Sequence, residues 1–130
     1  MKGSRDYPGR LLVPCPIPPM DLLSERFEAV RISEGVKIPV GFLKTKTSLT
    51  VPANSKVHLL LDNGKLTTGY LSLLFSRGKN AEITIAYAEA LYEGKELGTT
   101  KSYSFPAKGN RDEVEGKRFI GYEDKVIADG

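Results

Sequence analysis

Tryptophan is absent from this chain, and cysteine and histidine occur once each, as Cys15 and His58. A single thiol allows no intrachain disulfide, so bridges say nothing about the redox compartment. One thiol and one imidazole also fall short of the ligand set of a structural zinc site. The lack of tryptophan removes the largest ring on which a sugar could stack and leaves that role to Tyr70, Tyr92, Tyr103 and Tyr122. No apolar run is long enough to cross a bilayer as a helix, and the start MKGSRDYPGR has no apolar core behind its basic residues to make a secretory signal. An excess of one charge is missing too. The 19 basic and 16 acidic residues leave a net +3 and are interspersed along the chain, a poor footprint for nucleic acid. Gly94, Gly98 and Gly109 lack the spacing of a phosphate-binding or dinucleotide loop.

What remains is an ordinary globular composition, 40% hydrophobic and 27% charged over 130 residues, suited to one domain. Pro8, Pro14, Pro16, Pro18 and Pro19 crowd the first 19 residues, where they fix φ and remove backbone donors, so this stretch reads as an extended strap. Residues 21–30 offer at most one short helix, with Leu22, Leu23 and Phe27 as docking side chains and Gly35 as its stop. The expected division is therefore a strap with a possible helix over residues 1–44 and a β domain over 45–130.

From residue 45 the pattern is that of strands. Residues 48–51 suit a short strand, and 57–61 form an apolar run expected to be covered on both sides. Asp62, Asn63 and Gly64 tolerate the positive φ of a tight turn. Residues 70–76 place Leu71, Leu73 and Phe75 on one face and are expected to form a hairpin with a long strand at 82–92. Residues 102–105 and 119–127 are further strand candidates. Short strands separated by Gly and Asn turns predict an all-β fold, an antiparallel β-sandwich of jelly-roll type.

In the long strand, Ile83, Ile85, Tyr87, Glu89 and Leu91 fall at period two, which puts a carboxylate on an apolar face. A buried carboxylate costs several kcal/mol unless paired, and Arg111 is the candidate partner. The expected role is a structural ion pair, Glu89 with Arg111, that locks the 108–116 loop onto the sheet, in which Asn110 suits left-handed geometry. No nucleophile elbow accompanies His58, and neither Asp62–Gly64 nor Asp112 with Glu113 has the spacing of an EF-hand, so no cofactor or metal is expected.

The order LeuLeuLeuAsp at 59–62, LeuThrThrGlyTyr at 66–70, TyrAlaGluAlaLeuTyr at 87–92, LysGlyAsnArg at 108–111, GluGlyLys at 115–117 and AspGly at 129–130 resembles bacterial α-L-rhamnosidases, especially the Bacteroides-type members of that glycoside hydrolase family. The likeness continues upstream through ValProCysProIlePro at 13–18 and PheLeuLys at 42–44, with departures at Arg10 and Cys15. It implies the β-sandwich that precedes the catalytic α/α-barrel of these inverting enzymes, which are often periplasmic or secreted. It also implies a further aromatic-rich strand after AspGly, so that the chain is expected to lack the last strand of the sandwich. The acidic catalytic residues of the family belong to the barrel, and none carries over to this sequence.

The expected function is a non-catalytic accessory domain that braces the barrel, its partner, and borders the sugar cleft. A freestanding carbohydrate-binding module for rhamnose-containing glycans, using Tyr70, Tyr92, Tyr122 and Asn110, is the alternative. A third reading, residual hydrolysis by Glu89 with a second carboxylate, carries less weight.

Overall fold

The computed structural model describes residues 14–94 and 106–130. The described chain is all-β, with six antiparallel strands and no helix: β1 (Ala29–Glu34), β2 (His58–Asp62), β3 (Glu82–Tyr87), β4 (Leu91–Tyr92), β5 (Arg118–Phe119) and β6 (Tyr122–Ile127). They pair as three ladders, β1 with β2, β3 with β6 and β4 with β5. Among the described residues no backbone pairing joins these ladders into larger sheets. The expected strand at 102–105 lies outside the described residues.

The segment expected to be helical, 21–30, is irregular through residue 28, and its last two residues, Ala29 and Val30, open β1. Leu22 and Leu23, the supposed docking side chains, are more than four-fifths exposed. Val30 and Ile32 are β-branched, which disfavours a helix and suits a pleated surface, and both are half-buried against β2. The ladder crosses the expected boundary at residue 44, because β1 belongs to the first segment and β2 to the second. Its register slips between Val30 and Ile32, so Arg31 is the extra residue of a β-bulge. Such a bulge bends the strand and re-aims a side chain. The ladder ends where the Gly35 backbone, at φ 77°, passes so close to the Lys56 carbonyl that a Cβ would overlap it.

Three further expectations are corrected. Residues 48–51 are irregular, with Pro52 and Asn54, at φ 55°, ending any extension. Residues 70–76 pair with nothing among the described residues, and β3 takes β6 as its partner instead of forming the expected hairpin. The strand expected at 82–92 is broken after Tyr87 by a bend at Glu89 and Ala90, which separates β3 from β4. A similar break at Gly121 divides 119–127 into β5 and β6, and a Cβ there would collide with the Tyr87 carbonyl.

In β3 and β6 the period-two pattern places Ile83, Ile85 and Tyr87 on one face with Val126, Asp124 and Tyr122 opposite them. Ile83, Ile85 and Val126 are half-buried, whereas Tyr122 is 88% exposed. Tyr92 and Ala128 are the buried members of the described chain. Large side chains such as Val40, Tyr70 and Leu74 stand almost fully in solvent. No described helix is long and apolar enough to cross a membrane.

Candidate functional site

Glu89 is the centre of the strongest side-chain cluster, though not for the reason its sequence position suggests. It follows the end of β3 by two residues, lies in the bend and has a side chain 44% exposed, so it is not on a buried strand face. The cause is the break after Tyr87: once the chain bends, period two no longer assigns residue 89 to the apolar face. Its Oε1 accepts a hydrogen bond from Lys108 Nζ at 2.8 Å and lies 3.3 Å from Arg111 Nη2. Lys108 was not singled out by the sequence reading. The signal was available, since Lys108 and Arg111 are separated by one tight Gly-Asn step that can aim both cations at one anion.

The Lys108 ammonium also lies 5.8 Å from the centre of the Tyr92 ring, which is within the range of a cation–π contact. Tyr92 is 7% exposed. It is thus a core side chain and offers no open face to a sugar, contrary to its expected place among the ligand contacts. Across the β4–β5 ladder it faces Arg118, whose Nη1 is shielded from solvent and has no hydrogen-bond partner among the described residues.

The loop that carries Lys108 and Arg111 is organised by its own polar groups. Asn110 Oδ1 accepts from the Asp112 backbone amide at 3.1 Å, and its Nδ2 donates to Glu113 Oε1 at 3.2 Å. These bonds occupy the Asn110 amide within the loop. Lys117 Nζ donates to the Lys108 carbonyl at 2.8 Å and to that of Asn110. Gly109, at φ 55°, passes beneath the Glu93 carboxylate, where any Cβ would clash. The Glu93 amide in turn donates to the Ala107 carbonyl at 2.8 Å.

Arg31 connects this loop to the first ladder. Re-aimed by the bulge, it pairs with Asp62 Oδ2 at 2.9 Å and donates through Nη2 to the Asp112 carbonyl. Asp62 Oδ1 accepts from the Gly64 amide at 2.8 Å, so the AspAsnGly turn uses both carboxylate oxygens within the protein. The 106–117 loop therefore touches the bend after β3, strand β4 and the β1–β2 ladder through charged groups.

The electrostatics of Glu89 limit its chemistry. The hydrogen bond from Lys108 and then its charge lower the pKa of Glu89 below the ordinary carboxylate value, opposed by lost hydration and helped less strongly by Arg111. A general acid in glycoside hydrolysis needs the opposite shift. A carboxylate shared between two cations is also a weakened base and nucleophile. The arrangement is one that fixes a loop.

The remaining candidates lie apart from this cluster. His58 faces Glu34 across the β1–β2 ladder, Nδ1 to Oε2 at 3.6 Å, with both side chains largely in water. Tyr70 is 93% exposed, and Tyr122 stands directly opposite Tyr87 at the end of β3 and β6. Partial withdrawal from water, then the charge and hydrogen bond of Asp124, raise the pKa of the Tyr87 hydroxyl. Cys15 is exposed, and the described residues contain no group of His, Cys, Asp and Glu that could hold a metal ion. A shallow cavity of about 460 Å³ is lined by Glu25, Arg26, Glu28, Asn63, Gly64 and Lys65, none of which belongs to the Glu89 cluster. Tyr103 lies outside the described residues.

Comparison of the chain with protein-family models, curated proteins and solved structures found no match.

Proposed function

We propose that this chain is a non-catalytic accessory β domain of an α-L-rhamnosidase-like glycoside hydrolase, bracing the catalytic α/α-barrel and bordering its sugar cleft. The observation that carries the non-catalytic part is the state of Glu89, whose lowered pKa and two cationic partners suit a clamp and not a proton donor. The bracing role is supported by the surface: side chains such as Leu22, Leu66 and Leu74 are more than three-quarters exposed, an arrangement that fits contact with a larger body. The family assignment rests on the sequence resemblance, above all on TyrAlaGluAlaLeuTyr and LysGlyAsnArg, which supply the two sides of the Glu89 clamp.

The alternative, a carbohydrate-binding module acting by itself, is favoured by one feature. Tyr87 and Tyr122 are opposed in register on one face of the β3–β6 ladder and are 41% and 88% exposed, which leaves ring area for a sugar. Two measurements separate these readings. Incubation with a chromogenic α-L-rhamnoside is expected to release no product, and release would overturn the non-catalytic assignment. Calorimetric titration with rhamnose is expected to show no saturable heat, and saturation that is lost in Tyr122→Ala would replace the accessory reading with the sugar-binding one.

A further inference from the structure

Asn63 and Gly64 form the one Asn-Gly step of the chain, whereas Asn54, Asn80 and Asn110 precede Ser55, Ala81 and Arg111. A Cβ on the following residue crowds the approach of its backbone nitrogen to the asparagine side chain, and glycine removes that obstacle. Gly64 is exposed at φ 71° and sits at the end of the β1–β2 ladder, where the Glu28 amide donates to the Asp62 carbonyl at 2.8 Å. The Asn63 amide is weakly held. Its Nδ2 reaches the Lys65 carbonyl at 3.4 Å, beyond the ordinary length of such a bond, while the Asn110 amide is tied by two bonds. The Gly64 N–H is well held: it donates to Asp62 Oδ1 at 2.8 Å, which makes this an Asx-turn.

We propose that Asn63 is a site of spontaneous deamidation gated by the Asp62 carboxylate. When the Asx bond opens, the Gly64 N–H gives its proton to hydroxide and the nitrogen attacks Asn63 Cγ. The new N–Cγ bond closes a succinimide ring, and the Cγ–Nδ2 bond breaks to release ammonia. Water then opens the ring. Attack at Cγ leaves aspartate in a normal chain, and attack at the backbone carbonyl leaves an isoaspartyl link that lengthens the main chain by a carbon. Asp62 restrains the first step in two ways: it occupies the N–H, and its negative charge disfavours the amide anion that attack requires. Arg31, held on Oδ2, fixes the carboxylate in that position. Either product adds a negative charge beside Asp62 and Glu28, whose carboxylate a Cβ on Gly64 would overlap. The isoaspartyl link also moves the Gly64 N–H away from Asp62, the residue that pairs with Arg31 where Arg31 reaches the 106–117 loop.

The test is peptide mapping by mass spectrometry of the full chain stored in neutral buffer, with the rate of conversion at Asn63 taken relative to the same chain in urea. That ratio cancels the intrinsic effect of the neighbouring residue. The unmodified chain is expected to convert at Asn63 roughly tenfold more slowly than in urea, the factor that one hydrogen bond to a carboxylate imposes. Asp62→Ala removes the acceptor and is expected to erase most of that difference. Asp62→Asn keeps an Oδ1 acceptor without the charge and is expected to fall between the two. Because it weakens the Arg31 pair as well, it separates loss of the Asx bond from loss of the fold. Absence of conversion at Asn63, a native rate equal to that in urea, or equal ratios for Asp62→Ala and Asp62→Asn would each overturn the proposal.

Discussion

The Lys108 ammonium lies 2.8 Å from the Glu89 carboxylate and 5.8 Å from the centre of the Tyr92 ring, so one cation couples the bend after β3 to the buried residue of β4. Arg111 reaches the same oxygen at 3.3 Å with a side chain 56% exposed, against 28% for Lys108. The two cations should therefore not be equivalent. Lys108→Met is expected to lower the melting temperature more than Arg111→Ala, each by no more than a few degrees, since solvent-screened pairs contribute little. Equal shifts in a thermal melt, or a larger one for Arg111→Ala, would show that the shorter contact is not the stronger.

The same carboxylate sets a pH dependence. Its folded pKa lies below the reference value of 4.5, chiefly through the Lys108 hydrogen bond. A depressed carboxyl stabilises the fold fully above its unfolded pKa, and that contribution fades as pH falls through the folded value. Glu89→Gln is thus expected to be less stable than the parent at pH 7, with the difference shrinking below about pH 4.5. Urea midpoints measured from pH 7 down to pH 3 check it, and a gap that widened in acid would contradict the assignment.

Burial separates the tyrosines. Tyr92 is 7% exposed and Tyr122 88%. Truncating a buried aromatic costs about 3 kcal/mol or more, whereas changes at open surface stay within about 0.5 kcal/mol. Tyr92→Ala is expected to fall in the first range and Tyr122→Ala in the second, as read from denaturant unfolding.

Gly121 meets a backbone atom and not a movable side chain. A Cβ there overlaps the Tyr87 carbonyl at the end of the β3–β6 ladder, so the backbone would have to shift. Gly121→Ala is expected to destabilise by roughly 1–3 kcal/mol, the usual cost of overpacking. Hydrogen exchange should locate the loss at Tyr87 and Tyr122, and unchanged protection there would refute the steric reading.

Much of the β character was legible from local pattern. The apolar run at 57–61 matches β2 within one residue, and Ile83, Ile85 and Tyr87 share a face as their spacing predicts. What failed depends on contacts between distant segments. Nothing near Val30 announces that Leu61 will pair with it, so the strand at Ala29–Glu34 is not visible locally. Nothing near Leu71 announces that β3 will choose β6. Glu89 was misplaced by two residues of chain geometry, because periodicity does not report where a strand stops. The Glu89–Arg111 contact was still within reach of the sequence, since an acidic residue beside an apolar run and a Gly-Asn loop carrying cations are both local features. Lys108 carries the same local signal as Arg111, on the other side of the Gly-Asn step.

Lys117 has a consequence of its own. Its ammonium holds the carbonyls of Lys108 and Asn110 together, closing the loop that aims both cations at Glu89. Acylation of that single amine would remove the charge and two donors in one step, turning a latch built from the main chain into a chemically addressable one.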